Sequence, residues 1–100
     1  MRSYTLYVWT SALAELKQLP GNVRQVIRRA IDDLADDPRP STSKALRRVN
    51  GAREWRRLSL GRWRVIYLVY EVDKAVEVLA VRRRPPYDYG DLEQMARLLT

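Results

Sequence analysis

Three strand-like runs separated by very short links constrain this chain more than any other feature. Arg53 to Ser59, Arg62 to Val72 and Ala75 to Arg82 are rich in β-branched and aromatic residues, with only Leu60-Gly61 and Asp73-Lys74 between them. Links that short join antiparallel neighbours, because parallel strands need a crossover of roughly a dozen residues. The pattern predicts an antiparallel meander. Tyr4 to Trp9 is equally dense in aromatic and β-branched residues and predicts a further strand at the N-terminus.

Between the first strand and the meander the apolar spacing changes to that of helices. Ala12, Leu13, Leu16 and Leu19 fall on one side of a short helix, which Thr10 or Ser11 would cap and Pro20-Gly21 would stop. Behind a cap at Asn22, Val23, Val26, Ile27, Ala30, Ile31 and Leu34 recur at offsets of three and four. The opposite face pairs Arg28 with Asp32 and Arg29 with Asp33 at the spacing that lets charges meet, and reads as a solvated surface. Asp37 precedes Pro38, so this helix ends near there. Residues 38–52 lack a period and read as a long connection. After Pro85-Pro86 and Tyr87-Asp88-Tyr89-Gly90, Leu92, Met95, Ala96, Leu98 and Leu99 suggest a last amphipathic helix. The expected fold is one α+β domain over residues 1–100, in the order β-α-α-β-β-β-α. Its antiparallel meander, with the N-terminal strand, is covered on one face by a helical hairpin.

Composition narrows the chemistry. The 100 residues include no Cys and no His, which removes disulfides, thiolate nucleophiles, Cys-ligated zinc and the commonest general base. No cofactor is implied, and Asp32, Asp33, Asp36 and Asp37 spread over too wide a helical arc to suggest a metal site. Neither an apolar span nor a leader-like segment is visible, so the expected location is the cytoplasm. Nineteen Lys and Arg against twelve Asp and Glu give a net charge of +7, and sixteen of the nineteen are arginine. Arginine's planar fork pairs bidentately with phosphate and stacks on flat rings, which favours nucleic acid or an acidic protein as partner.

The charge is concentrated. Lys44, Arg47, Arg48, Arg53, Arg56, Arg57, Arg62 and Arg64 are accompanied by one acid, Glu54, and Arg82, Arg83 and Arg84 close the last strand. In a meander these groups converge on one patch, with Trp55, Trp63 and Tyr67 near it, a surface suited to RNA phosphates and splayed bases. The hairpin register decides which arginines share a face. A two-residue Leu60-Gly61 turn sets Arg57 against Arg64; a three-residue loop ending at Gly61 sets Arg56 near Arg64. Either places two guanidinium groups side by side with no acid opposite, an arrangement an anionic ligand explains better than folding does.

The segment Trp-Arg-Arg-Leu-Ser-Leu-Gly-Arg-Trp-Arg-Val-Ile-Tyr at 55–67, the Leu-Pro-Gly-Asn-Val-Arg opening at 19–24 and the Val-Leu-Ala-Val-Arg-Arg-Arg close at 78–84 resemble the RelE/ParE superfamily of toxins from bacterial toxin–antitoxin modules. The resemblance spans nearly the whole chain. It implies one of two activities: ribosome-dependent endoribonuclease, as in RelE-like members, or poisoning of DNA gyrase without nuclease activity, as in ParE-like ones. It further implies that Arg57, Arg64 and Arg83 or Arg84 match the superfamily's functional arginines and that Tyr87 or Tyr89 matches a C-terminal catalytic tyrosine. Trp55 stands where a second basic residue is usual, and Ser59 where an arginine is frequent. The implied partners are messenger RNA in the ribosomal decoding site and a cognate antitoxin that lays an acidic, largely disordered segment over the basic patch.

The chemistry is consistent on its own terms. RNA carries its own nucleophile, the 2′-hydroxyl, so a protein that aligns the nucleotide and stabilises phosphorane charge needs no Ser or Cys. Arginine forks suit that task, yet arginine stays protonated, so proton movement falls to another group. Glu54, a tyrosine or, more weakly, Lys44 could serve. The expected catalytic set is Arg57, Arg64, Arg84, Tyr87 and Glu54, with Lys44, Arg47, Arg48, Arg53, Arg56, Arg62, Arg82, Arg83 and Tyr89 binding RNA.

Overall fold

The computed structural model describes residues 3–46 and 53–99. The elements follow as β1 (Thr5–Val8), α1 (Thr10–Lys17), α2 (Gly21–Asp33), β2 (Ser43–Ala45), β3 (Glu54–Leu60), β4 (Trp63–Tyr70), β5 (Ala75–Arg83) and α3 (Leu92–Leu98). They form one five-stranded sheet in the order β1-β5-β4-β3-β2. The meander expected for β3, β4 and β5 is present, and the α+β order holds. Two features go beyond the sequence reading. The helical hairpin carries the chain across the sheet, so β1 lies parallel to β5. The connection over 38–52 contains β2, which pairs antiparallel with β3 through Ser43, Lys44 and Ala45.

Strand β4 explains why the sheet is covered on both sides. Val65 to Val69 are all buried, a continuous apolar run that needs partners above and below. On one face Val65, Tyr67 and Val69 join Leu58, Val76 and Val78 beneath Ile27, Ile31 and Leu34 of the hairpin region. On the other, Ile66 and Leu68 join Trp55, Leu79 and Ala80 beneath Met95 of α3. A bulge between Ile66 and Tyr67 sets Ile66 opposite Ala80 but Tyr67 opposite Val78, leaving Leu79 as the extra residue. The alternation of β5 is thereby shifted by one, and Arg82 falls opposite Arg64.

The helices differ from expectation at their ends and edges. Trp9 and Pro20 occupy the N-cap positions without side-chain capping bonds, in place of Thr10, Ser11 or Asn22. The proline ring presets its own φ at −54°, and α2 begins directly after it. Leu13, Val26 and Leu98 lie exposed instead of joining the apolar faces assigned to them. No described helix is long and apolar enough to cross a membrane.

Candidate functional site

The face opposite the α1–α2 hairpin changes character along the three strands of the meander. On β3 it runs Trp55, Arg57, Ser59; on β4 it runs Leu68, Ile66, Arg64; on β5 it runs from Leu79 and Ala80 to Arg82. The apolar end lies under α3, and the cationic end lies beyond it. Lys44 of β2 is directly opposite Arg57 and extends the cationic end outward. Arg84 arrives from the other side, its amide donating to the Arg62 carbonyl at 2.7 Å.

Neither expected hairpin register is the one observed. Leu60 pairs with Trp63, so Gly61 and Arg62 are the loop residues and Gly61 takes φ +59°. A glycine at the first loop position supplies the left-handed backbone that tight hairpins require. Arg57 therefore faces Ile66, and Arg64 faces Ser59 on one side and Arg82 on the other. Parity still leaves Arg57 and Arg64 on one face as diagonal neighbours, and it sends Arg56 to the helix-covered face.

The guanidinium groups of this end are held by neutral partners. Arg57 Nη1 donates to Ser59 Oγ at 2.9 Å, while Arg64 Nη1 donates to the carbonyls of Gly61 and Trp63 at 2.8 and 2.9 Å. Arg57 and Arg84 both lie over the Tyr89 ring, 5.9 and 5.2 Å from its centroid. Tyr89 adopts φ +66°, uncommon for a residue with a Cβ, and its edge-on contact with Tyr87 brings the ring centroids to 4.7 Å. Among the described residues no carboxylate pairs with Lys44, Arg57, Arg64 or Arg84. Arg64 Nε and the Tyr89 hydroxyl are buried, with no hydrogen-bond partner among those residues.

Arg82 is different. It ion-pairs with Glu15 of α1 and, at 3.4 Å, with Asp91. Glu15 also accepts the Val81 amide at 2.9 Å, at the part of β5 that β1 does not reach. Asp91 accepts the Tyr87 hydroxyl at 2.6 Å. Burial first, and then this bond to a carboxylate, pushes the Tyr87 hydroxyl well above the usual tyrosine range. Asp91 and Glu15 were missed in the sequence; the only local signal was the four-residue spacing from Tyr87 to Asp91.

Other expected site residues lie elsewhere. Glu54, Arg56 and Arg83 are on the helix-covered face by register, Arg56 opposite Tyr67 and Arg83 opposite Trp63. Glu54 binds Arg56 at 2.8 Å and Arg39 at 2.8 Å, so the structure does not bring it to the arginine cluster. Arg56 also bonds Ser43 Oγ through Nε and Nη2 at 3.2 and 2.9 Å. Arg53 ties down the end of α3 by donating to the Leu99 carbonyl at 3.0 Å. Arg62 is exposed at the hairpin tip, and Arg47 and Arg48 lie outside the described residues. The rings near the cluster are Tyr87 and Tyr89 in place of Trp63 and Tyr67, which pack into the core beneath the helices. Trp55 is buried on the α3 side. No group of His, Cys, Asp and Glu suited to a metal occurs among the described residues.

The mixed five-stranded sheet with its helical hairpin on one face matches the fold of RelE toxins. The archaeal RelE–RelB complex from Pyrococcus horikoshii OT3 matches with 25% identity and a TM-score of 0.76, over 85% of this chain and 99% of that one. The toxin–antitoxin complex RelBE2 from Mycobacterium tuberculosis matches with 25% identity and a TM-score of 0.67, over 82% and 99%. Isolated E. coli RelE, 19% identical, shares the fold with a TM-score of 0.64 over 97% and 99%. No curated protein matches the chain by sequence. The family model for the ParE toxin of the type II toxin–antitoxin system parDE matches residues 7–85. The chain belongs to that family and is a toxin of a type II toxin–antitoxin system.

Proposed function

We propose that this toxin is a ribosome-dependent endoribonuclease that cuts messenger RNA by attack of a 2′-hydroxyl on the adjacent phosphate. The observation that carries the reading is the convergence of Lys44, Arg57, Arg64 and Arg84 on one end of the sheet with no carboxylate among their described ion pairs. Uncompensated cations on a folded surface repel one another, and a phosphodiester relieves that repulsion. Arg57 and Arg64 would hold the non-bridging oxygens as phosphorane charge develops, and the Tyr89 ring, near Arg57 and Arg84, would be a stacking surface for a base. Tyr87, beside Tyr89, would meet the reacting hydroxyl. An in vitro translation reaction followed by primer extension tests this: codon-linked cuts are expected, and intact message in an inhibited extract would refute it.

A second reading, a gyrase poison without nuclease activity, is favoured by the ParE family match and by buried Trp55 in place of a basic residue. Cleaved DNA trapped on gyrase, with message intact, selects it. Under either reading the partner is a cognate antitoxin, as the toxin–antitoxin complexes of the Pyrococcus and Mycobacterium relatives suggest. An acidic antitoxin segment laid over the cationic end would bind faster at low salt, because the net charge steers the encounter.

A further inference from the structure

A chain without histidine needs another route for the proton of the attacking hydroxyl. Resting on the nuclease reading above, we infer that Tyr87 and Asp91 form a proton relay in which Asp91, acting through Tyr87, takes up the charge of the 2′-hydroxyl proton. The geometry is a 2.6 Å bond from the Tyr87 hydroxyl to Asp91 Oδ1, short enough for transfer without rearrangement. Both residues line an open cleft of about 480 Å³ together with Arg82, Arg83 and Asp88, and a nucleotide entering that cleft would approach the phenol.

The step balances. The 2′-O–H bond breaks and its proton passes to the Tyr87 oxygen, while the proton already on Tyr87 passes to Asp91 Oδ1. The freed electron pair forms the bond from the 2′-oxygen to phosphorus, the bond from phosphorus to the 5′-oxygen breaks, and that oxygen takes a proton from water. The products are a 2′,3′-cyclic phosphate and a 5′-hydroxyl, and Asp91 then returns its proton to solvent. Tyr87 stays a neutral phenol throughout, as its elevated pKa requires. It hands the proton on instead of having to start as phenolate.

Arg83 and Asp88 line the same cleft as the relay. Arg82 of β5 lies 3.4 Å from Asp91 and over the Tyr87 ring, with its guanidinium carbon 5.8 Å from the centroid. Tyr89 lies edge-on to Tyr87, and Glu15 of α1 acts through Arg82. Arg82 holds the Asp91 carboxylate beside the phenol, and Glu15 in turn holds Arg82. The ion pairs of Arg82, which set it apart from the other cationic residues here, thus acquire a positioning role.

The test is single-turnover cleavage of messenger RNA on programmed ribosomes with full-length protein, across a pH series. Asp91→Asn keeps an oxygen to accept the phenol bond but takes up no proton. It should lower the cleavage rate about 100-fold with half-saturation within about twofold, and alter the pH profile of cleavage. Tyr87→Phe should lose a similar factor, the double variant should lose no more than the worse single one, and Asp91→Glu should restore at least about tenfold. An Asp91→Asn protein with wild-type rate and pH profile, or losses that multiply in the double variant, would overturn the relay while the nuclease reading stands. Intact message with the wild-type protein would overturn both. If Asp91→Asn does not fold, Tyr87→Phe decides alone, since it leaves the Asp91–Arg82 pair in place: an unchanged rate and pH profile overturns the relay.

Discussion

Lys44 and Arg57 stand directly opposite each other across the β2–β3 pair, two cations on one face, with Arg57 donating to Ser59 Oγ. Opposed like charges cost roughly 0.2–1 kcal/mol, so this pair is a structural liability that a bound polyanion would turn into an asset. Arg57→Ala should leave unfolding free energy unchanged or raised by a few tenths of a kcal/mol. Message cleavage should fall by about 100-fold or more. Urea unfolding and primer extension on the same preparation check the two halves; a parallel loss of stability and activity would mean Arg57 is structural.

Arg64 differs because it serves the hairpin as well. Its Nη1 satisfies the carbonyls of Gly61 and Trp63, so Arg64→Ala should cost about 1 kcal/mol of stability as well as roughly 100- to 1000-fold in cleavage. Arg64→Lys keeps the charge without the fork and should recover little of the rate. Thermal unfolding and translation inhibition are the measurements, and full potency of Arg64→Ala would remove it from the site.

Glu54 belongs to the stability of the other face. Burial works to raise its pKa, but the hydrogen bonds from Arg39 and Arg56 outweigh burial and hold it below the usual carboxylate range. Glu71, bonded to Lys74, Tyr4 and Arg39, is lowered to about 2. A depressed folded-state pKa means that the unfolded chain binds more protons in acid. The stabilisation is therefore complete above about pH 4.3 and is lost as pH falls, for Glu71 down to about 2. Urea midpoints should drop between pH 5 and pH 3, and Glu54→Gln should flatten that drop while leaving cleavage at neutral pH intact.

Gly61 is the remaining pressure point. A Cβ placed there meets nothing within 4 Å, so the whole cost of Gly61→Ala is its φ of +59°. That cost is about 1–2 kcal/mol, and Gly61→Asn should cost less, because asparagine visits the left-handed region more readily. Thermal unfolding of the two variants gives the ordering; equal midpoints for alanine and wild type would contradict it.

Much of this architecture was legible in the residues, and what was not has identifiable causes. Strands β3 to β5 announce themselves through β-branched density between turn residues, and α2 through its three- and four-residue spacing. Ser43-Lys44-Ala45 is too short to display a period, and only its pairing with Arg56, Arg57 and Leu58 makes it a strand. The hairpin register depended on whether Leu60 joins the ladder. It does so because Leu60 and Trp63 pack against the core beneath the helices, a tertiary reason invisible locally. The assignment of Arg82, Arg83 and Arg84 depended on the bulge at Leu79, which inverts the alternation of β5 without any glycine or proline to signal it. Gathering of arginines was evident from composition; their division into clustered, paired and core-bracing groups required the carboxylates Glu15, Glu54 and Asp91 to be placed.

The parallel pairing of β1 with β5 has a consequence during synthesis. Thr5 to Val8 emerge from the ribosome early, yet their partners Ala75 to Val78 are among the later residues made, and the tyrosines that flank the arginines come later still. A nascent chain therefore holds neither a closed sheet nor an assembled cluster until Ala75 to Val78 and the tyrosines behind them have been made. Whatever the cluster does, the cleavage proposed above included, is deferred by topology until those residues have been made.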